Sequence, residues 1–119
     1  MPALRPNSII GILGGGQLGR MMALAARPLG YKVHVLDPDP DCAAKPVVEK
    51  VVTASFDDVD AFKAFARGVD VVTLEIEKID LAALIAAAEY APCRPDAQVL
   101  EIIQDRAVQK LWLKGHGIP

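Results

Sequence analysis

Cysteine is scarce in this chain of 119 residues: only Cys42 and Cys93 occur. They stand far apart and without metal-ligand spacing, which excludes a disulfide scaffold or a zinc site and leaves two thiols expected to be free in a reducing cytosol. An excess of charge of one sign is also missing. Thirteen basic residues face fifteen acidic ones for a formal net charge of −2, so the chain lacks the basic footprint that holds a nucleic-acid backbone or an anionic membrane, and neither is an expected partner. Nor is there a long apolar run. The Ala-rich stretch 81–88 is far too short to span a bilayer, and residues 1–7 lead into a β-like run, not into an apolar segment with a cleavage site. The expectation is a soluble, unsecreted, cytoplasmic protein. No internal repeat, low-complexity linker, Ser/His/Asp triad or Cys/His pair can be drawn from the sequence. His34 sits within an apolar strand and reads as a packed side chain, His116 lies near the end of the chain, and Trp112 on the last helix reads as packing.

What is present is apolar residues at 52%, enough at this length for one core, and one domain is expected over 1–119. The run 8–13, Ser-Ile-Ile-Gly-Ile-Leu, is nearly all apolar and rich in β-branched residues, as in a strand buried on both faces of a parallel sheet. Over 17–29, Leu18, Met21, Met22, Ala25, Ala26 and Leu29 recur at helical spacing, and Gly30 supplies a stop. A second strand fits 32–37 and is closed by Pro38-Asp39-Pro40-Asp41, where two prolines forbid regular structure. Further strands fit 50–54 and 69–75, the first preceded by no more than a short helical turn around Pro46. Helices fit 58–66, with Asp57 as cap and Phe62, Phe65 and Ala66 inward, and 81–89, with Asp80 as cap. Pro92 and Pro95 bracket a short extended piece at Cys93 and Arg94; Asp96 then caps helix over 97–103, and 105–114 continues it. Strands alternating with helices in this way predict an α/β fold, a Rossmann-like doubly wound parallel sheet with right-handed crossovers.

Three constellations carry chemistry. In Gly14-Gly15-Gly16-Gln17-Leu18-Gly19 the first, third and sixth positions have the glycine spacing that lets backbone amides at a helix N-terminus approach a phosphate. Asp37, at the end of the second strand, lies where a dinucleotide fold keeps its ribose-binding acid, so spacing alone suggests an NAD(P)-binding fingerprint; the alternative is glycines that only permit a tight turn and close helix–strand packing. The second constellation is Glu75-Ile76-Glu77. Period-two alternation sends Glu75 and Glu77 to one side at a strand's carboxyl end, where such a pair can orient an amine or hydroxyls, unless both acids are simply solvated. The third is Gln104-Asp105-Arg106 with Lys110 one turn on, which by itself reads as a solvated helix face.

Taken together, residues 10–21 with Gly14-Gly15-Gly16-Gln17-Leu18-Gly19-Arg20-Met21, then Val35-Leu36-Asp37-Pro38, the run 70–77, Gln104-Asp105-Arg106 with Lys110, and Gly117-Ile118-Pro119 resemble the N-terminal part of the 5-(carboxyamino)imidazole ribonucleotide synthase family, ATP-grasp enzymes of purine biosynthesis. Gln17 and Arg20-Met21 separate this run from ordinary nicotinamide folds. Gln17 also separates it from a related ATP-grasp transformylase, whose loop carries Glu there. The resemblance implies a pre-ATP-grasp substrate-binding domain of a carbon–nitrogen ligase that uses ATP, Mg2+ and bicarbonate to carboxylate 5-aminoimidazole ribonucleotide, and a homodimer at full length. It implies that Gly15, Gly16, Gln17, Leu18, Asp37, Glu75 and Glu77 meet the ribotide and that Arg106 reaches toward ATP. Lys78 departs from the pattern, standing where many members have Asn or His. The chain is expected to be truncated before the ATP-grasp domains and inactive alone.

Overall fold

The structure, a computed structural model, describes residues 5–75, 78–95 and 98–99. Its β-branched runs form four strands, β1 (Ile9–Leu13), β2 (Lys32–Asp37), β3 (Lys50–Thr53) and β4 (Val71–Leu74), and the alternating segments form α1 (Gln17–Ala26), α2 (Val59–Arg67) and α3 (Leu81–Ala88). All strand pairs are parallel, in the order β3-β2-β1-β4. The chain leaves β1 for β2 on one side, and after β3 crosses to β4 on the other. The order therefore reverses between β1 and β4, and the carboxyl ends of those two strands frame the crevice where open α/β sheets take ligands.

Side chains alternate across the sheet with the period of two that a strand imposes. Leu13, Leu36 and Val72 point into a core closed by Phe62 and Phe65 of α2 and by Ala83, Leu84 and Ala87 of α3. Ile12, Val33 and Val35 point the other way, into a smaller core with Ala23 of α1, Cys42 and Ala44. Gly11 permits the close seat of α2 on β1: a Cβ there would lie 2.8 Å from the Phe65 ring.

Several details differ from the sequence expectation. The buried side of α1 is Gly19 and Ala23 with Met22 and Ala26 beside them, whereas Leu18 (57% exposed), Met21 (62%) and Leu29 (69%) face outward and Ala25 is exposed. Of the residues that recur at helical spacing, Met22 and Ala26 lie on the inner side and Leu18, Met21, Ala25 and Leu29 do not; Gly19 and Ala23 take the buried positions because the helix must lie against the turn that starts it. The α-helix stops at Ala26, and Arg27–Leu29, with Pro28 inside, is a tighter turn ended by Gly30 at φ 93°. Helix α2 is capped by Asp58, not Asp57: Ala61 N donates to Asp58 Oδ1 at 3.0 Å, while Asp57 accepts from the Ser55 hydroxyl. Asp58 is the residue just before the first helical position, from which a side chain reaches back to an unpaired amide of the first turn. Asp80 holds the N-cap position of α3, but its side chain makes no capping bond. The extended piece at Cys93 pairs in parallel with Val72 of β4. Among the expectations for 76–77 and 96–119, residues 98 and 99 are helical; Glu77, Asp96, Arg106, Lys110 and Trp112 lie outside the described residues.

Candidate active-site crevice

β1 ends at Leu13 and the chain turns sharply. Gly14 takes φ 108°, a left-handed conformation open to glycine, and donates its N–H to Leu36 O of β2 at 2.8 Å. Gly16 then stands at the N-cap of α1 and offers no side chain, and the first turn of the helix holds no acid. The donors and the positive end of the dipole at this terminus therefore await an anion from elsewhere in the fold.

Two carboxylates supply it. Gly16 N donates to Glu75 Oε2 at 2.8 Å, and Gly15 N donates to Asp37 Oδ2 at 2.8 Å. Glu75 reaches the loop because its own N–H continues the ladder, donating to Leu13 O at 3.0 Å, so that β4 delivers its side chain beside the end of β1. Asp37 arrives in the same way at the end of β2, and its other oxygen, Oδ1, accepts from Asp39 N at 2.8 Å. The glycines are dictated by these contacts. A Cβ at Gly14 would meet Glu75 Oε2 at 2.9 Å and one at Gly16 would meet Oε1 at 2.6 Å; at Gly19 it would meet Gly14 O at 2.5 Å and Oε2 at 3.2 Å. The glycine spacing therefore leaves room for one carboxylate and brings α1 against the turn.

The connection after β2 is fastened to the same loop from the far side. Ala44 N donates to Gly15 O at 2.8 Å, the Arg20 guanidinium donates to Ala43 O at 3.1 Å, and Cys42 Sγ lies where a Gly15 Cβ would fall, at 2.6 Å. Burial and the nearby Asp37 carboxylate push the Cys42 thiol pKa up, which keeps it neutral and poorly nucleophilic. Sequence reasoning gave Arg20 and Cys42 no place in the site. The one available signal was the repeated Asp-x-Asp of 37–41, which in the structure makes successive side-chain-to-backbone turns, Asp39 N to Asp37 and Asp41 N to Asp39.

The structure thus brings Gly15, Gly16, Asp37 and Glu75 together, with Gln17 and Leu18 exposed at the start of α1 beside them. At Asp37 both oxygens are engaged by backbone amides, so it acts here as a strut of the loop. Glu75 Oε1, in contrast, receives no hydrogen bond among the described residues. Gln17 and Leu18 occupy the first two positions of α1, whose N–H groups have no acceptor within a helix. The crevice therefore offers outward-facing amide donors beside one acidic acceptor. An open cleft of about 330 Å³ adjoins it, lined by Pro38, Ser55, Phe56, Asp57, Lys78, Ile79 and Asp80; Lys78, the residue that departs from the family pattern, stands on its rim.

This geometry is at odds with a nicotinamide site. There, loop amides point at a pyrophosphate and the acid after the second strand grips a ribose, whereas here carboxylates hold the amides of Gly15 and Gly16 and the acid is spent on the loop. Residues 8–104 match the model of the ribonucleotide synthetase preATP-grasp domain. The chain belongs to that family. It is 42% identical over 116 residues to N5-carboxyaminoimidazole ribonucleotide synthase of Brucella melitensis, covering 98% of this chain and 32% of that protein. Among solved structures it resembles N5-carboxyaminoimidazole synthetase from Staphylococcus aureus complexed with ADP (TM-score 0.91, 39% identity, 96% of this chain and 31% of that one). It also resembles N5-carboxyaminoimidazole synthase from Aspergillus clavatus in complex with ADP and 5-aminoimidazole ribonucleotide (TM-score 0.88, 39% identity, 95% and 30%). The chain spans about a third of the length of these relatives. In this member of the preATP-grasp family a dinucleotide-like strand order carries a glycine loop that is filled from within.

Proposed function

We propose that this chain is the ribotide-binding domain of an ATP-dependent carbon–nitrogen ligase that carboxylates 5-aminoimidazole ribonucleotide in purine biosynthesis. The observation that carries the reading is the Glu75 carboxylate, anchored through Oε2 on Gly16 and with Oε1 open beside the first turn of α1. A fixed carboxylate oxygen suits the amine or a ribose hydroxyl of a ribotide, and adjacent backbone donors suit ribose or carbonyl oxygens. The resemblance to a relative solved with ADP and 5-aminoimidazole ribonucleotide supports the choice of ligand.

In the reaction so proposed, a bicarbonate oxygen attacks the γ-phosphorus of ATP, releasing ADP and forming carboxyphosphate. The ribotide amine then either attacks the carboxyl carbon of carboxyphosphate, expelling inorganic phosphate, or attacks the carbon dioxide that carboxyphosphate releases together with inorganic phosphate; in both cases the amine proton passes to solvent or a base, giving the carbamate. This domain's part is positional. Gln17 and Leu18 with Gly15 and Gly16 contact the ribotide, Glu75 fixes its amine or ribose, Asp37 holds the loop, and Glu77 adds a second carboxylate. Arg106 reaches toward ATP at the border with the ATP-grasp part. Mg2+ accompanies ATP there; no three His, Cys, Asp or Glu side chains converge on a metal position among the described residues. The full-length protein is a cytoplasmic homodimer in this reading, and the chain spans a single domain that does not catalyse alone.

Calorimetric titration of the full-length protein with 5-aminoimidazole ribonucleotide tests the proposal. Saturable binding is expected, weakened at least about tenfold by Glu75→Ala through loss of a charge-assisted contact. Saturable NADH binding in its place would overturn the reading.

A further inference from the structure

We propose that the outward face of α1 is where two copies of this protein meet, helix against antiparallel helix across a two-fold axis. This assigns a contact surface to the homodimer proposed for the full-length protein, rests on that reading for the homodimer, and makes no use of the ribotide.

The helix is apolar almost all round. Gly19 and Ala23 are buried, and Met22 and Ala26 pack beside them. The opposite side holds Met21 (62% exposed), Leu24 (50%) and Ala25, which stand three and four residues apart and therefore share one face. A helix apolar on every side is one that proteins bury. Elsewhere the surface offers nothing comparable. Beyond α1 and the turn that closes it, the large apolar side chains exposed among the described residues are Ile85, Tyr90 and Val99, no two of them one helical turn apart.

Charge selects the occupant. No Asp or Glu precedes Asp37 in the chain, and the two cations of α1 and its closing turn point toward the loop after β2: Arg20 donates to Ala43 O at 3.1 Å, and Arg27 pairs with Glu49 at 3.2 Å. The outward face is left neutral, with nothing to steer an acidic or basic partner and nothing to repel its own copy. Its shape is self-complementary as well. A two-fold axis level with Ala23 sets Met21 of one copy against Ala25 of the other, a large flexible side chain against a small one, and brings the two Leu24 side chains together. The antiparallel setting also places the two helix dipoles in opposition.

Sedimentation velocity of the full-length protein is the test. The wild type is expected to be a dimer. Met21→Glu and Leu24→Lys each set like charges near one another across the axis, in an apolar contact, and should weaken the dimer at least about hundredfold, whereas Ile85→Glu on α3 should leave it intact. Met21 and Leu24 are exposed in the single copy, so both variants should fold, and circular dichroism identifies those that do. Leu24→Cys oxidised with diamide gives a second readout: it should form a covalent dimer in excess of any formed by the wild type treated alongside. A monomeric wild type overturns the proposal, as does a dimer that persists in folded Met21→Glu and Leu24→Lys, or a Leu24→Cys that crosslinks no more than the wild type. Titration with 5-aminoimidazole ribonucleotide separates this from the ligand reading. Ribotide binding by a dimer that ignores both variants leaves the ligand reading standing and the contact surface refuted; a dimer that dissociates as expected but binds no ribotide does the reverse.

Discussion

The two faces of the sheet are held together by different means. On the α2/α3 face, Phe62, Phe65, Leu13, Leu36, Leu84 and Val72 fill a core of large side chains, and the helices pack on each other as well as on the strands. On the α1 face the buried residues that the helix and the loop after β2 lay over Ile12, Val33 and Val35 are small, Gly19, Ala23 and Ala44 among them, and the larger Leu18, Met21, Leu24 and Leu29 face outward. What fixes that side is polar. Asp37, Glu75 and Arg20 bind backbone groups of the glycine turn and of the loop after β2. Volume stabilises without direction, whereas hydrogen bonds fix positions to a few tenths of an ångström. The face that presents the crevice is built by the second means, and its helix is consequently seated by residues that let backbone meet backbone.

Perturbations of the two faces should differ accordingly. The largest loss of stability is expected from Phe62→Ala, about 3–5 kcal/mol for a fully buried aromatic side chain, read by denaturant unfolding. Ligand binding by the fraction that stays folded should persist, because Phe62 takes no part in the loop. Next comes a matched pair. Gly19→Ala places a Cβ 2.5 Å from the Gly14 carbonyl oxygen, and Gly11→Ala places one 2.8 Å from the edge of the Phe65 ring. Each should cost about 1–3 kcal/mol as overpacking, with Gly19→Ala the larger because a backbone oxygen yields less than a ring; the reverse ranking in melts would break the contrast drawn here. Gly16→Val should spare stability and lower ribotide affinity about tenfold or more, since the added side chain displaces the Glu75 carboxylate, a movable group, and not backbone. Equal losses in melts and titrations would mean that the glycine serves packing alone.

The smallest effect concerns His34 on β2. Burial, then the Lys50 charge, lower its pKa below the ordinary value near 6.5, with Glu49 opposing and Lys32 adding. The unfolded chain takes up that proton more readily than the folded one, so stability should fall as pH drops through about 6.5 toward the depressed folded value. His34→Gln should flatten that slope, checked by melts at about pH 7.5 and about pH 5.5.

Much of this was legible in the sequence. The alternation of β-branched runs with helical stretches gave the parallel sheet, and Gly30 closed the first crossover where expected. The motif Gly-Gly-Gly-Gln-Leu-Gly-Arg-Met pointed to the family that the comparisons show. Errors arose where two local choices were equally good. Asp57 and Asp58 are both competent caps, and only where the helix begins, at Val59, selects Asp58, which accepts from Ala61 N. On α1 the apolar spacing took in Met22 and Ala26, which pack inward, but also Leu18, Met21, Ala25 and Leu29, which do not, because periodicity measures hydrophobicity and takes no account of how closely a helix must approach a turn.

The chain's own pattern determined which segments are strands and helices, that the strands are parallel, and that a glycine turn would start α1, because these follow from side-chain period and local backbone freedom. The tertiary structure alone decided what fills that turn. Glu75 lies 59 positions from Gly16 and Asp37 lies 22 from Gly15, and no local rule joins them. They meet because parallel pairing places the carboxyl ends of β1, β2 and β4 side by side, which turns a phosphate-like loop into one that carries its own anion.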